Sequence, residues 1–372
     1  MREAIFTVWY GHVAPVEPEG LEYALPECSR YSLSLIHGVF RHGNKTLEGD
    51  YPTNPYKDET YYPFGKGQLT NAGKLMGYQT GVYLRRRYIQ FLGSYNPEVL
   101  EAYASPFWRC KSYLQLMMAG LYPPSENERW HKEFDWQAIP FNDDCKLSYH
   151  LFWTYASCPN FAKAYQDHKK SEQYAGVMAP YESTMRYLYE KSGLWPNNTH
   201  VFGTAVFLQA ALTSQEQWGL KLPAWTESVW PKVIAEVSAM EWMQIFGTET
   251  ARTGGAGFLM SKIVEDTNLH INRDSSVRGR KIYLYAGHDT NIYGILAWLG
   301  VLKPTIINFG AYIIFEIHNI HNDYYVKVLH QNGDVSSTPT PIKIPHCGYC
   351  CPFDKFLNLY SARLEPEKLC DD

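Results

Sequence analysis

Residues 31–43 read Tyr-Ser-Leu-Ser-Leu-Ile-His-Gly-Val-Phe-Arg-His-Gly, and this stretch decides the fold class. Tyr31 to Phe40 alternates or runs apolar, as a buried strand does, and stops at the turn Arg41-His42-Gly43. The layout recurs twice. Val99 to Ala104 is strand-like and leads through Ser105-Pro106-Phe107-Trp108-Arg109 into an apolar helical stretch, Cys110 to Leu121, closed by Pro123-Pro124. Lys281 to Ala286 is a third strand, followed by Gly287-His288-Asp289-Thr290 and helical spacing to Leu299. Strand, polar turn, helix is the unit of an open α/β sheet, whose ligands bind at the strand ends.

The intervening chain fills in the architecture. Thr70 is a candidate N-cap for a helix to about Leu92, with Leu75, Met76, Tyr78, Val82 and Tyr83 at helical spacing and Arg85, Arg86 and Arg87 towards its end. From about Trp130 to Gly247 strand-like runs vanish and helical patterns dominate. A helix around Phe258 to Glu265 and two strands near Tyr312–Ile317 and Tyr324–Leu329 complete the pattern, the last pair reading as a hairpin around His318–Asp323. The expected fold is α/β: a three-layer sandwich with a mixed, mostly parallel central sheet and an inserted, mainly helical domain. Residues 1–132 (with a loosely ordered leader, 1–30) and 251–372 form its two parts, and 133–250 the insertion.

Composition narrows the function. At 372 residues with 45% hydrophobic and 19% charged residues, the chain is globular and can bury a large core. A net charge of −4 gives no sign of a nucleic-acid or acidic-membrane partner. No apolar run is long enough for a membrane-spanning helix. The eight cysteines could be buried thiols, a zinc site or disulfides. No second Cys-x-x-Cys or His-x-x-x-His accompanies Cys347, Cys350 and Cys351, so disulfides in an oxidising compartment are the better reading. Asn197-Asn198-Thr199 fits a glycosylation acceptor, so a secreted or lysosomal location is expected. Met1 to Tyr10 lacks a signal-peptide core, and we read the start of the chain as incomplete.

The strand ends carry the chemistry. A phosphate monoester needs its charge neutralised, an in-line nucleophile, and a proton for the departing alkoxide. His42 is a competent nucleophile, and Arg41 and Arg109 can make bidentate bonds to phosphate oxygens. His288 adds a donor and Asp289 a proton. Guanidinium groups would supply the positive charge, so no metal and no other cofactor is called for. Taken singly, Arg-His-Gly is a structural turn, His-Asp a helix cap, and Arg109 a surface charge. Their joint placement at strand ends favours phosphoryl transfer.

Beyond these residues, Gly65-Lys66-Gly67-Gln68-Leu69-Thr70, Ala119-Gly120-Leu121-Tyr122-Pro123-Pro124 and Trp136-Gln137-Ala138-Ile139-Pro140 accompany the two histidine clusters in order. With Arg41-His42-Gly43-Asn44-Lys45-Thr46-Leu47, they make the chain from about Tyr31 onward resemble the histidine acid phosphatases, particularly the prostatic, lysosomal and insect-venom enzymes. The resemblance implies an α/β sandwich with a helical insertion and hydrolysis of small phosphate monoesters. It makes His42 the phosphorylated nucleophile and Asp289 the proton donor, with Arg41, Lys45, Arg109 and His288 on the phosphate. It pairs Cys158 with Cys370 and Cys347 with Cys351; a third family pair lacks both cysteines, near Trp218 and Phe309. Cys28, Cys110, Cys145 and Cys350 receive no partner. Relatives often form homodimers, on which this sequence is silent.

Two departures stand inside the signature. Lys45 replaces an arginine, turning a planar fork into a point charge, at an expected cost of roughly 1–3 kcal/mol in phosphate binding or turnover. Leu47 replaces a proline that would stiffen the loop. Pro106, Phe107 and Trp108 replace acidic residues before Arg109, suggesting an apolar wall for aromatic or lipid-like leaving groups. Asn44-Lys45-Thr46 is formally a glycosylation site that should be unmodified, because a glycan there would block the crevice. The first expectation is an acid phosphatase, its optimum acidic because Asp289 must be protonated while His42 still attacks. The alternatives are a weakened or inactive member that acts as a binding protein, and a phytase-like or mutase-like phosphotransfer enzyme.

Overall fold

A computed structural model describes residues 28–194 and 202–370. Its strands are β1 (Leu33–Arg41), β2 (Leu100–Ala104), β3 (Ile282–Gly287), β4 (Tyr312–Ile320), β5 (Asp323–Gln331), β6 (Thr340–Ile342) and β7 (Cys351–Pro352). The helices are α1 (Asn71–Leu92), α2 (Trp108–Leu121), α3 (Cys145–Phe152), α4 (Thr154–Ser157), α5 (Pro159–His168), α6 (Glu172–Met178), α7 (Glu182–Ser192), α8 (Thr204–Gln217), α9 (Lys232–Ile245), α10 (Glu249–Ile271), α11 (Asp289–Trp298), α12 (Phe353–Tyr360) and α13 (Glu367–Cys370).

The sheet order is β2-β3-β1-β4-β5-β6, with β7 also on β5. β2, β3 and β1 run parallel to one another, whereas every other pairing of named strands is antiparallel. The sheet is thus mixed as expected, but mostly antiparallel rather than mostly parallel. The reason is the C-terminal third. After β4 the chain turns through His321 and Asn322, both with positive φ, and pairs directly back as β5. Two positive-φ residues fit the tight turn whose twist matches a hairpin. The strands consequently run closer together than the six-residue separation read from sequence.

Period-two alternation along β1 divides the core into two layers. Leu35 and Val39 face a cluster shared with Leu259, Ile263, Ile292 and Phe356 of α10, α11 and α12. Ile36 and Phe40 face the opposite cluster with Leu84, Leu114 and Met117 of α1 and α2. On that second face, α1 carries Gly73, Gly77 and Gly81 four residues apart. A Cβ at Gly81 would lie 1.9 Å from the Met117 carbonyl oxygen, and one at Gly120 2.2 Å from that of Tyr78. The two helix backbones touch, which only glycine permits. Thr70 caps α1 as expected, its hydroxyl accepting from the Gly73 amide at 3.1 Å.

The stretch between α2 and α10 is helical wherever it has named structure longer than an isolated bridge. Part of it builds a third cluster: Leu188, Leu208, Leu212, Ile234 and Val237 enclose Leu47, Tyr51 and Tyr61 from the loop after β1. Leu47 is therefore anchored by burial where the family signature has a proline. Disulfides join Cys158 to Cys370, Cys347 to Cys351, and Cys28 to Cys350. The first two are the pairs implied by the resemblance; the third ties the start of the described chain to its end. Cys110 and Cys145 are free thiols, the former buried. The leader up to residue 27 and the acceptor Asn197 lie outside the described residues.

Candidate active site

Register builds the site. Because β1 and β3 are parallel with Phe40 opposite Ala286 and Arg41 opposite Gly287, their C-terminal ends are level. β2 is level too, with Ala104 opposite Ala286. His42, His288 and the Ser105–Arg109 turn therefore emerge side by side from three neighbouring strands. Backbone bonds hold the seam: the His42 amide donates to Gly287 at 3.0 Å, the Arg41 amide to Ala311 at 2.8 Å, and the Ser105 amide to Ala286 at 2.8 Å.

The tautomer of His42 follows from its partners. Its Nδ1 lies 2.8 Å from the Gly43 carbonyl, which can only accept, so Nδ1 carries the hydrogen. Nε2 then presents its lone pair, and Arg109 Nε donates to it at 3.0 Å. Burial, reinforced by Arg109, His288 and Arg41, holds the imidazole well below the usual histidine range. The ring is therefore neutral, the form in which an imidazole is able to attack. His288 stands edge-on to it with ring centroids 5.5 Å apart, and burial together with Arg109, Arg41 and Lys45 keeps it neutral as well. Its Nε2 is 2.7 Å from the Ser105 hydroxyl, which sets the ring's orientation.

The charged groups surround this pair. Arg41 donates from Nη1 to the Ile307 carbonyl, stacks over Phe309 at 4.3 Å, and pairs through Nη2 with Asp289 Oδ2 at 2.9 Å. Asp289 is the first residue of α11, keeps 27% of its side chain exposed and lines the cavity. Arg109, in the first turn of α2, lies over the Phe107 ring at 4.5 Å and donates from Nη1 to Glu48 Oε1 at 2.9 Å. Lys45 Nζ is 3.5 Å from Glu48 Oε2. Burial pulls the Lys45 ammonium down to about 8, with Glu48 acting against it. Burial raises Glu48, but Lys45 and Arg109 outweigh it and leave the carboxyl below its ordinary value.

All six residues expected from sequence, Arg41, His42, Lys45, Arg109, His288 and Asp289, line one cavity of about 320 Å³. That is ample for a small phosphate ester. Its outer wall is aromatic: Trp153, Tyr155, Phe202 and Trp242 follow one another with ring centroids 4.5, 5.2 and 5.5 Å apart. The wall expected from Pro106–Trp108 is elsewhere. Trp108 is 73% exposed, and Phe107 packs beneath Arg109, Trp153 and His288 instead of lining the cavity. A second cavity of about 360 Å³ shares Arg41 and Asp289 and is lined by Gln209, Gln217, Asn308 and Asn332.

Sequence reasoning missed Glu48, Ser105 and the aromatic wall. Glu48 alone had a local signal, a carboxylate three residues after Lys45; the wall comes from the helical stretch, where aromatics ordinarily mean core. Asn44, of the formal acceptor site, is 7% exposed; its carbonyl accepts from Thr70 at 2.7 Å and its amide donates to Gln217. Among the described residues, no group of three or more His, Cys, Asp or Glu is placed to hold a metal ion, and no helix is long and apolar enough to cross a membrane.

Against known proteins, residues 29–331 match the profile of the histidine phosphatase superfamily, branch 2. The chain is 29% identical over 346 residues to a venom acid phosphatase of Apis mellifera, covering 91% of this chain and 88% of that one. It is 28% identical over 335 residues to the prostatic acid phosphatase of Homo sapiens, covering 88% and 84%. Among solved structures it superposes on a phytase of Hafnia alvei with a TM-score of 0.66 and 17% identity, covering 90% of this chain and 97% of that one. This last likeness is one of fold.

Proposed function

Since the chain belongs to the histidine phosphatase superfamily (branch 2) and is a phosphatase, we propose that it is an acid phosphatase that hydrolyses phosphate monoesters through a phosphohistidine on His42. His42 Nε2 attacks phosphorus, the ester P–O bond breaks, and Asp289 gives its proton to the departing oxygen. Water then attacks the phosphohistidine, the P–N bond breaks back onto Nε2, and the Asp289 carboxylate takes the water's proton. Arg41, Arg109 and Lys45 bind the phosphate oxygens, with His288 beside them.

The observation that carries this reading is the bond from His42 Nδ1 to the Gly43 carbonyl, which turns the Nε2 lone pair towards Arg109 in the cavity. Asp289 supports it: it lines the same cavity as His42, is held by Arg41, and is partly exposed, as a group that exchanges protons with water needs to be. The domain division at about residues 133 and 250 is part of the same reading, the helical segment supplying the aromatic wall. Three disulfides favour a secretory or lysosomal route.

The test is hydrolysis of p-nitrophenyl phosphate at about pH 5, where an acidic donor keeps its proton more readily, with and without EDTA. Turnover should survive EDTA and disappear in His42→Ala, and rapid quenching should trap acid-labile phosphate on His42. Absence of turnover at every pH would favour a binding protein on the same fold.

A further inference from the structure

Glu48 takes no part in the steps above, yet it is the carboxylate closest to their machinery. Its two oxygens go to two different cations: Oε1 lies 2.9 Å from Arg109 Nη1 and Oε2 3.5 Å from Lys45 Nζ. Meanwhile Arg109 Nε is held on the nucleophile's Nε2 at 3.0 Å. In this state the donors meant for a phosphate group are already satisfied by an anion of the chain itself.

We propose that Glu48 is a built-in competitor for the substrate's phosphate group, displaced whenever Arg109 and Lys45 bind phosphate, and hence a determinant of affinity and substrate charge. The proposal rests on the assignment of those two cations to phosphate. Exposure shows which partner moves. The Arg109 and Lys45 side chains are 6% and 10% exposed, against 45% for Glu48. Arg109 is pinned by its stacking on Phe107, and the segment carrying Lys45 is bonded to the Gly65–Leu69 stretch, the Thr46 amide donating to the Gln68 carbonyl at 2.9 Å and the Thr46 hydroxyl to that of Gly65 at 2.7 Å. Glu48 has only its solvent side to leave by. A dianionic phosphate and an ionised Glu48 cannot share the two cations without strong like-charge repulsion. Once displaced towards the cavity mouth, the carboxylate faces the leaving group and disfavours one bearing further negative charge.

The experiment measures inorganic phosphate binding by calorimetry, which needs no turnover, together with p-nitrophenyl phosphate kinetics, for the wild type, Glu48→Gln and Glu48→Asp. Glu48→Gln should lower the phosphate Kd and the KM by about tenfold, the worth of one charge-assisted bond no longer exchanged. Glu48→Asp should stay closer to the wild type. The relative rate on inositol hexakisphosphate should rise in Glu48→Gln. An unchanged or higher Kd in Glu48→Gln would overturn the proposal and make Glu48 a support for Arg109, whose loss raises KM and lowers kcat together. Failure of the phosphatase reading shows separately, as wild-type protein without His42-dependent turnover.

Discussion

Acid should weaken this protein through His37, on β1 five residues before His42. Its imidazole is fully buried, stacked on Tyr283 with ring centroids 4.9 Å apart, and its Nε2 lies 3.0 Å from the Thr267 hydroxyl. Thr267 itself donates to the Ile263 carbonyl, so His37 is the donor of the pair, and its Nδ1 has no partner. Burial, helped by Lys262 and His270, lowers the pKa from 6.5 to about 3. The unfolded chain takes up this proton near 6.5 and the folded chain near 3. Stability is therefore complete above 6.5 and lost as pH falls below it, at about 1.4 kcal/mol per pH unit. By about pH 4.5 the loss from His37 alone is roughly 3 kcal/mol, large beside a total of about 5–15. His37→Phe keeps the stacking and removes the proton site. In urea unfolding it should be about 1 kcal/mol less stable than wild type at about pH 7.5, for the lost hydrogen bond. At about pH 4.5 the order should reverse, because roughly 3 kcal/mol of acid sensitivity is gone. Parallel stability curves for the two proteins would refute the argument.

The remaining expectations concern the site and its frame. Sulfate keeps its charge across the neutral and alkaline range, so its calorimetric affinity should fall as pH rises through about 8, where Lys45 loses its proton. Lys45→Arg should hold that affinity level, and an identical fall in both proteins would exclude Lys45 from anion binding. Asp289→Asn should cost alkyl phosphates roughly 10²–10⁴ in kcat but p-nitrophenyl phosphate far less, since only a poor leaving group needs the proton; equal losses would remove Asp289 from the donor role. Gly81→Ala should lower stability by about 3 kcal/mol, the upper end for overpacking, because its Cβ meets the Met117 carbonyl at 1.9 Å. A loss near zero on thermal melting would mean that α1 and α2 can part at no cost.

Much of the site was legible because its residues flank strands with strong local signals. Tyr31–Phe40 and Lys281–Ala286 announce themselves by apolar patterning, and Arg41, His42, His288 and Asp289 follow directly in the chain. The hairpin was legible as an element pair, but its tight turn was not, since positive φ at His321 is no property of its composition. Cys28 and Cys350 were unreadable as a pair: 322 residues separate them, and nothing local distinguishes them from Cys110 or Cys145. The wall was misplaced for a related reason. Phe107 is two residues from Arg109 in sequence, but its ring turns beneath the guanidinium, while Trp153 reaches the cavity from the junction of α3 and α4 and Phe202 from the turn before α8.

The sequence by itself determined which side chains could handle a phosphate group and that they stand at strand ends, because strand patterning and turn chemistry are short-range. Only the tertiary structure decided that three such ends are level, that His42 presents Nε2, and that Glu48 holds Arg109 and Lys45. Each of those outcomes depends on register and burial, which arise from contacts between segments far apart in the chain. A residue's neighbours in sequence say little about the electrostatic company it keeps once water has been excluded.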